Sequence, residues 1–284
     1  MSISVKELKS IDLSSFTIIS TGINVLFSII VALLFAAGMA ITYPNSIGFT
    51  IYIAPTIIVG TFIIGIYVSF SEGLFFNLLA KYLNNIKLGF KDEKEITKIS
   101  NSETAIIIAI IMAIEAVIMY LALSFILPLV LNATIQTLML TGQESVAYSF
   151  YQLLTLFNQP LTMTVAILAS LIICFIYILL GTYIYNLFAS TGRGIIVSLS
   201  KEDKWTVIDS VDIMNFTVAI TVISAVLSII SAIILMIMGM NIQGAVINIF
   251  QGIISGFIGS ALTAVFYNFL APKIGKLKLE LIDQ

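Results

Sequence analysis

Long apolar runs broken by short polar segments dominate the chain. No charged residue falls between Asp12 and Glu72, between Glu115 and Glu144, between Glu144 and Arg193, or between Asp212 and Lys273. A helix needs roughly 20 apolar residues to cross the hydrocarbon of a bilayer, and several of these runs hold two such lengths with a turn between them. The pattern predicts spans over 16–41, 51–76, 104–130, 161–188, 216–239 and 245–270. Beside each pair of spans the period drops to two. Ile86, Leu88 and Phe90 alternate after the second span, Ile195, Val197 and Leu199 after the fourth, and Leu277, Leu279 and Leu281 after the sixth. Such alternation marks short β-strands leaving the helix ends.

These segments are copies of one another. Aligned without gaps, FFNLLAKYLNNIKLGF, YNLFASTGRGIIVSL and YNFLAPKIGKLKLEL bring Asn77, Asn186 and Asn268 into one column and Ala80, Ala189 and Ala271 into another. The flanks before the odd-numbered spans also align, with Leu8, Ile96 and Ile208 together, then Ile11, Ile99 and Val211. Asp12, Ser100 and Asp212 follow immediately, and these residue types cap a helix N-terminus by accepting its free N–H groups. The chain therefore reads as three two-span hairpin units, 1–91, 92–201 and 202–284, each strand, helix, helix, strand. Two strands that return to the same membrane face can pair antiparallel, and since a lone pair is marginal, the three pairs are expected to pack on one another.

The unit resembles a family of small prokaryotic two-span membrane proteins, common in archaea and known as a domain of unknown function. Its members end the second span with [FY]-N-L-x-A-x-x-x-G-G-I-x-L-x-L. The resemblance implies a tandem triplication and a fold, and no activity. Gly192 with Gly194, and Gly275, match the glycine pair of that motif, while the first copy carries Asn84 and Asn85; Asn tolerates positive φ, so the same turn is expected there.

Composition and charge add orientation. The 284 residues are 60% hydrophobic and 10% charged, with a mean hydropathy of +1.12, far from soluble domains. All 13 Lys and Arg fall in the segments that would share one side, and the loops 42–50, 131–160 and 240–244 carry none. The positive-inside rule then places the strands and both termini in the cytoplasm of a cell-membrane protein, with those loops outside. Small residues at Ala36, Ala37, Gly38 and Ala40 imitate a signal cleavage site, but the apolar run is too long and its flank recurs within the chain, so the first segment is read as a span. The basic residues are interleaved with Asp and Glu and do not point to nucleic acid.

The chemistry on offer is narrow. Without a single His, His-dependent metal sites and Ser-His or Cys-His nucleophiles are excluded, and no Walker loop or dinucleotide fingerprint occurs. The lone Cys174 reads as a packing residue. Glu115 is the one carboxylate deep in a predicted span; it serves either as hydrogen-bonded glue between helices or as a station on an ion path. The Asn trio either rings the mouth of a pathway or fixes each helix-to-strand exit, and the second is favoured. Gly252, Gly256 and Gly259 have the spacing that lets helices approach closely. In the outer loop, Val146, Phe150, Leu153, Leu154 and Phe157 recur at helical spacing, which predicts a short amphipathic helix. Asn132-Ala133-Thr134 is a glycosylation sequon on the same side.

The expectation is an all-α transmembrane bundle of six helices with pseudo-threefold symmetry and short cytoplasmic β-strands flanking each hairpin. It needs no cofactor and no metal, and its oligomeric state is open. It meets the lipid bilayer and offers its β face to a protein partner. The expected role is a non-enzymatic scaffold or accessory subunit; the alternative is a channel or transporter for a small ion or solute using Glu115 and the Asn trio.

Overall fold

The computed structural model describes residues 3–42, 47–140, 142 and 144–284. In chain order the elements are β1 (Ile3–Ile11), α1 (Leu13–Thr42), α2 (Ile47–Leu79), β2 (Ile86–Lys91), β3 (Glu95–Ile99), α3 (Asn101–Leu140), α4 (Glu144–Phe157), α5 (Pro160–Ala189), β4 (Ile195–Glu202), β5 (Trp205–Val211), α6 (Ile213–Ile237), α7 (Ile242–Ile274) and β6 (Lys278–Asp283). Six of the helices are long and apolar enough to cross a membrane.

The expected all-α class is corrected by the strands. They form a closed antiparallel barrel in the order β1-β2-β3-β4-β5-β6, with β6 returning to β1. Each strand pairs with the other strand of its own hairpin unit: Leu8 opposite Ile86, Ile96 opposite Ile195, Val207 opposite Lys278. The three pairs, expected to pack on one another, are joined into one sheet. They join edge to edge through β2–β3, β4–β5 and β6–β1. The physical reason is that a two-stranded piece leaves a row of unpaired N–H and C=O groups on each side, and only closure satisfies all of them. Two of the seams are tight hairpins. Asp92 and Glu93 take φ of 51° and 56° and Lys94 N donates to Lys91 O, while Asp203 takes φ of 52° between Glu202 and Trp205.

The period-two residues supply the barrel's filling. Ile86, Phe90 and Val197 are buried. Even an eight-stranded barrel has an interior only wide enough for side chains. A six-stranded ring is narrower and is filled by the side chains of its own wall.

The chain divides into two compact units, one of Met1–Ile107 with Leu179–Gln284, the other of Ile108–Ile178. In the first, α1 packs on α2, α6 on α7, and α1 also meets α7. A core of Ile19, Tyr267, Leu270 and Ala271 lies where helices meet strands, with Ile208, Val211 and Leu277 against it. A second cluster sets Tyr185, Ala189 and Ala219 against Ile96, Ile99 and Ile195. Close approach marks the helix pairs. A Cβ on Gly65 would meet Thr21 Cα at 3.7 Å, and one on Gly256 would meet Thr221 Cα at 3.6 Å.

In the second unit, α3 continues to Leu140, ten residues beyond the predicted end of the span at 130. Its polar residues bond along the helix instead of opening a loop; Thr134 Oγ1 donates to Val130 O at 2.9 Å, so the sequon is helical. The predicted amphipathic segment is α4, with Ala147 and Leu154 buried, and Tyr120 Oη donates to Phe157 O at its end.

Candidate functional site: the helix exits and the barrel wall

Each Asn of the aligned trio stands one to two turns before the point where a helix passes into its strand. Asn77 Oδ1 accepts from Ile11 N at 2.8 Å and its Nδ2 donates to Ile11 O at 2.8 Å. Asn186 does the same with Ile99, at 2.8 and 2.7 Å, and Asn268 with Val211, at 2.9 and 2.8 Å. A primary amide presents one acceptor and a donor pair side by side, which matches the two polar groups of a strand residue. The last residue of β1, β3 and β5 would otherwise carry unpaired backbone groups at the barrel rim, and the Asn closes them. All six bonds go to protein backbone, so these three side chains bind strands to helices.

A pair of tyrosines adds a second clamp, absent from the sequence expectations. Tyr185 Oη donates to Ile96 O and accepts from Ile195 N at 3.1 Å, bridging β3 and β4. Tyr267 Oη donates to Ile208 O at 2.5 Å and accepts from Leu277 N at 3.3 Å, bridging β5 and β6. The first copy has Phe76 in this position, buried and unable to bridge. The seams differ accordingly. β1 and β2 pair continuously from Ile3–Lys91 to Leu8–Ile86, whereas β3–β4 and β5–β6 each have two facing pairs. The hydroxyls sit where the ladders are shortest. The signal was present as Tyr-Asn in the second and third copies against Phe-Asn in the first.

The cap column splits by chemistry. Asp212 accepts from Asn215 N at 2.8 Å and caps α6. The Ser100 hydroxyl accepts instead from Lys87 N at 3.0 Å, tying α3 to β2. At Asp12 the backbone carbonyl accepts from Phe16 N and from Ser15 Oγ, whose own oxygen accepts from Lys278 N. The glycine turns also differ among copies. Gly192 and Gly275 adopt φ of 80° and 128°, whereas Asn84 and Asn85 are not among the positive-φ residues. The turn expected from Asn is therefore not made in the first copy, where Asn85 Nδ2 points toward Glu7 at 3.4 Å. Gly194 is required by approach: a Cβ there would collide with Ile96 O and lie 2.9 Å from Glu95 Cγ.

Of the sixth-span glycines, Gly252 and Gly256 face α6. A Cβ on Gly252 would lie 2.7 Å from Ser228 Oγ, and one on Gly256 2.6 Å from Ser224 Oγ. Gly259 has nothing within 4 Å of that position. Glu115 lies in α3 within the second unit and is 8% exposed.

Charge collects on the barrel. Lys276 holds Asp209 at 2.7 Å and pushes its carboxyl below the usual range, with Ser200 also donating to it. Ser10 donates to Glu280 at 2.7 Å and lowers it, helped by Lys204 and Lys9. Glu202 at 2.6 Å raises Lys278. Lys6 is 5% exposed, with its ammonium 3.5 Å from Glu93, 3.8 Å from Asp283 and 5.8 Å from the centre of the Phe90 ring. Among the described residues no cluster of His, Cys, Asp and Glu is arranged to hold a metal. No family model, no curated protein and no solved structure matches the chain.

Proposed function

We propose that the chain is a non-enzymatic scaffold or accessory subunit of a cell membrane, with the barrel and both termini on the cytoplasmic side and the barrel's outer surface offered to a protein partner. The observation that carries this reading is the filled barrel. Ile86, Phe90 and Val197 of its strands are buried, and we take them as the filling of a six-stranded ring too narrow to hold a path as well. Each Asn of the trio commits a pair of hydrogen bonds to strand backbone, and Asn186 also donates to Asn101. A rigid, closed ring tied to its helices by three such clamps suits a display surface. The same three clamps, at matched positions, support an origin by tandem triplication of the two-span domain that the closing motifs resemble.

Purification of the tagged full-length chain from native membranes in mild detergent tests the role. A stoichiometric protein partner, lost when outward-facing barrel residues are changed, is the expected result. A chain that purifies alone and passes ions when reconstituted into liposomes would sink it. Burial of Glu115 favours a second reading, a transporter whose path passes that carboxylate. In that case Glu115→Gln should abolish the flux while expression and folding hold.

A further inference from the structure

A cleft of about 640 Å³ opens on the outer wall of the barrel across β1, β2 and β3 and reaches the end of α5. Gly89 forms its floor, opposite Lys98 in the register of β2 and β3. Lys87, Lys91 and Lys98 line it, with Glu95 as the one acidic side chain of the lining. Lys91 lies 3.5 Å from Glu95, and Lys87 lies 3.9 Å from Glu7 beside the cleft. Lys98 is exposed and makes no ion pair among the described residues. The far wall is apolar, with Ile3 64% and Val5 39% exposed. Ala189, Ser190 and Gly192 form the remaining edge, at the point where α5 ends.

The other copies do not repeat this arrangement. The position of Gly89 is Ser198 in β4 and Glu280 in β6. Glu280 engages Ser10, Lys9 and Lys204, so that face neutralises its own lysines. The glycine leaves room where a glutamate stands elsewhere, and it leaves Lys98 unopposed.

We infer that this cleft binds the phosphate headgroup of an anionic membrane phospholipid. Lys98, with no ion pair among the described residues, supplies the charge together with Lys87 and Lys91, each beside a glutamate, since lysine acts toward phosphate as a mobile point charge. The end of a membrane-spanning helix at the edge of the cleft sets it at headgroup level, where basic residues near an anionic surface gain most. The inference rests on the membrane reading of the chain and is independent of the scaffold role.

The test is thermal unfolding of the full-length chain in neutral detergent with added dioctanoyl phosphatidylglycerol, dioctanoyl phosphatidylcholine or inorganic phosphate. The phosphatidylglycerol should raise Tm saturably, at concentrations at least tenfold below any effect of the other two. Lys98→Gln and Lys87→Gln should each weaken that half-saturation about fivefold, from roughly 1 kcal/mol per lysine. Lys201→Gln, the same charge change on β4 outside the cleft, should leave it unchanged. Gly89→Val, which keeps every charge but whose Cβ would press on Lys98 Cβ at 3.1 Å, should weaken it too and is read beside Lys87→Gln where Lys98→Gln folds poorly. Equal stabilisation by phosphatidylcholine would overturn the proposal, as would unaltered binding in Lys98→Gln and Gly89→Val. Equal stabilisation by inorganic phosphate would reassign the cleft to a soluble phosphate. Failure to find a protein partner would leave these results untouched.

Discussion

Asn268 and Val211 share a closed pair of hydrogen bonds, the Val211 amide donating to Oδ1 at 2.9 Å and Nδ2 donating to the Val211 carbonyl at 2.8 Å. The side chain thereby substitutes for a neighbouring strand at the last residue of β5. Asn268→Ala strands both backbone groups and should cost about 2 kcal/mol, from roughly 1 kcal/mol for each lost bond. Asn268→Asp keeps an acceptor for the amide but turns a second acceptor on the carbonyl, so it should recover nothing. Reversible unfolding in mixed micelles reads both, and a neutral alanine variant would show that the pair does not hold the rim.

The contrast along α7 gives a second prediction. Gly256→Leu drives a side chain into Ser224 and should destabilise the α6–α7 hairpin by about 1–3 kcal/mol, the usual cost of overpacking. At Gly259, open space surrounds the missing Cβ. Gly259→Ala should be neutral or gain up to about 1 kcal/mol from helix propensity. Equal losses at the two sites, by the same unfolding measurement, would contradict the close approach.

Acid should loosen the barrel before the helices. Asp209 is lowered by its bond from Lys276 and Glu280 by its bond from Ser10, so each is a folded-state carboxyl below its unfolded value. Their contribution is full above the ordinary carboxylate pKa and is lost as pH falls through the lowered one. Lys278, raised by Glu202, works in the opposite sense: its contribution is full below the ordinary lysine pKa and is lost as pH rises through the raised one. Trp205, the single tryptophan and the first residue of β5, reports the barrel by fluorescence. The double change Asp209→Asn with Glu280→Gln should flatten the acid limb of that signal and leave the alkaline limb in place.

Orientation is open to chemical labelling. In a Cys174→Ala background, Met238→Cys, exposed at the end of α6, should react with an impermeant thiol reagent on intact cells. Lys201→Cys on β4 should react only after permeabilisation. The reverse pattern would invert the topology.

The spans and the strand positions were legible because both are local patterns. A run of 20 apolar residues and an alternation such as Ile195, Val197, Leu199 need no knowledge of the rest of the chain. Closure was not legible, since pairing Leu8 with Leu281, Gly89 with Lys98 and Ser198 with Ser210 is decided by which edges remain unsatisfied after each strand pair forms. The alignment that brought out the Asn trio also held the tyrosines, but Phe76 in the first copy made that column look merely aromatic. The end of α3 was missed because Asn132 and Thr134 read as loop chemistry, while the helix continues through them and Thr134 bonds back to the Val130 carbonyl.

Ser10 of β1 meets Glu280 of β6 across 270 positions of sequence. During synthesis, at about 5–20 residues per second, the first strand therefore waits roughly 15–55 s for its second neighbour. Throughout that interval the nascent protein carries an open sheet edge while the hairpins between are still being made. Sealing must wait for β6, and translation stalled after α7 would leave the ring unfinished. Such an arrested chain would offer a sticky strand to whatever chaperone or sister chain is nearest.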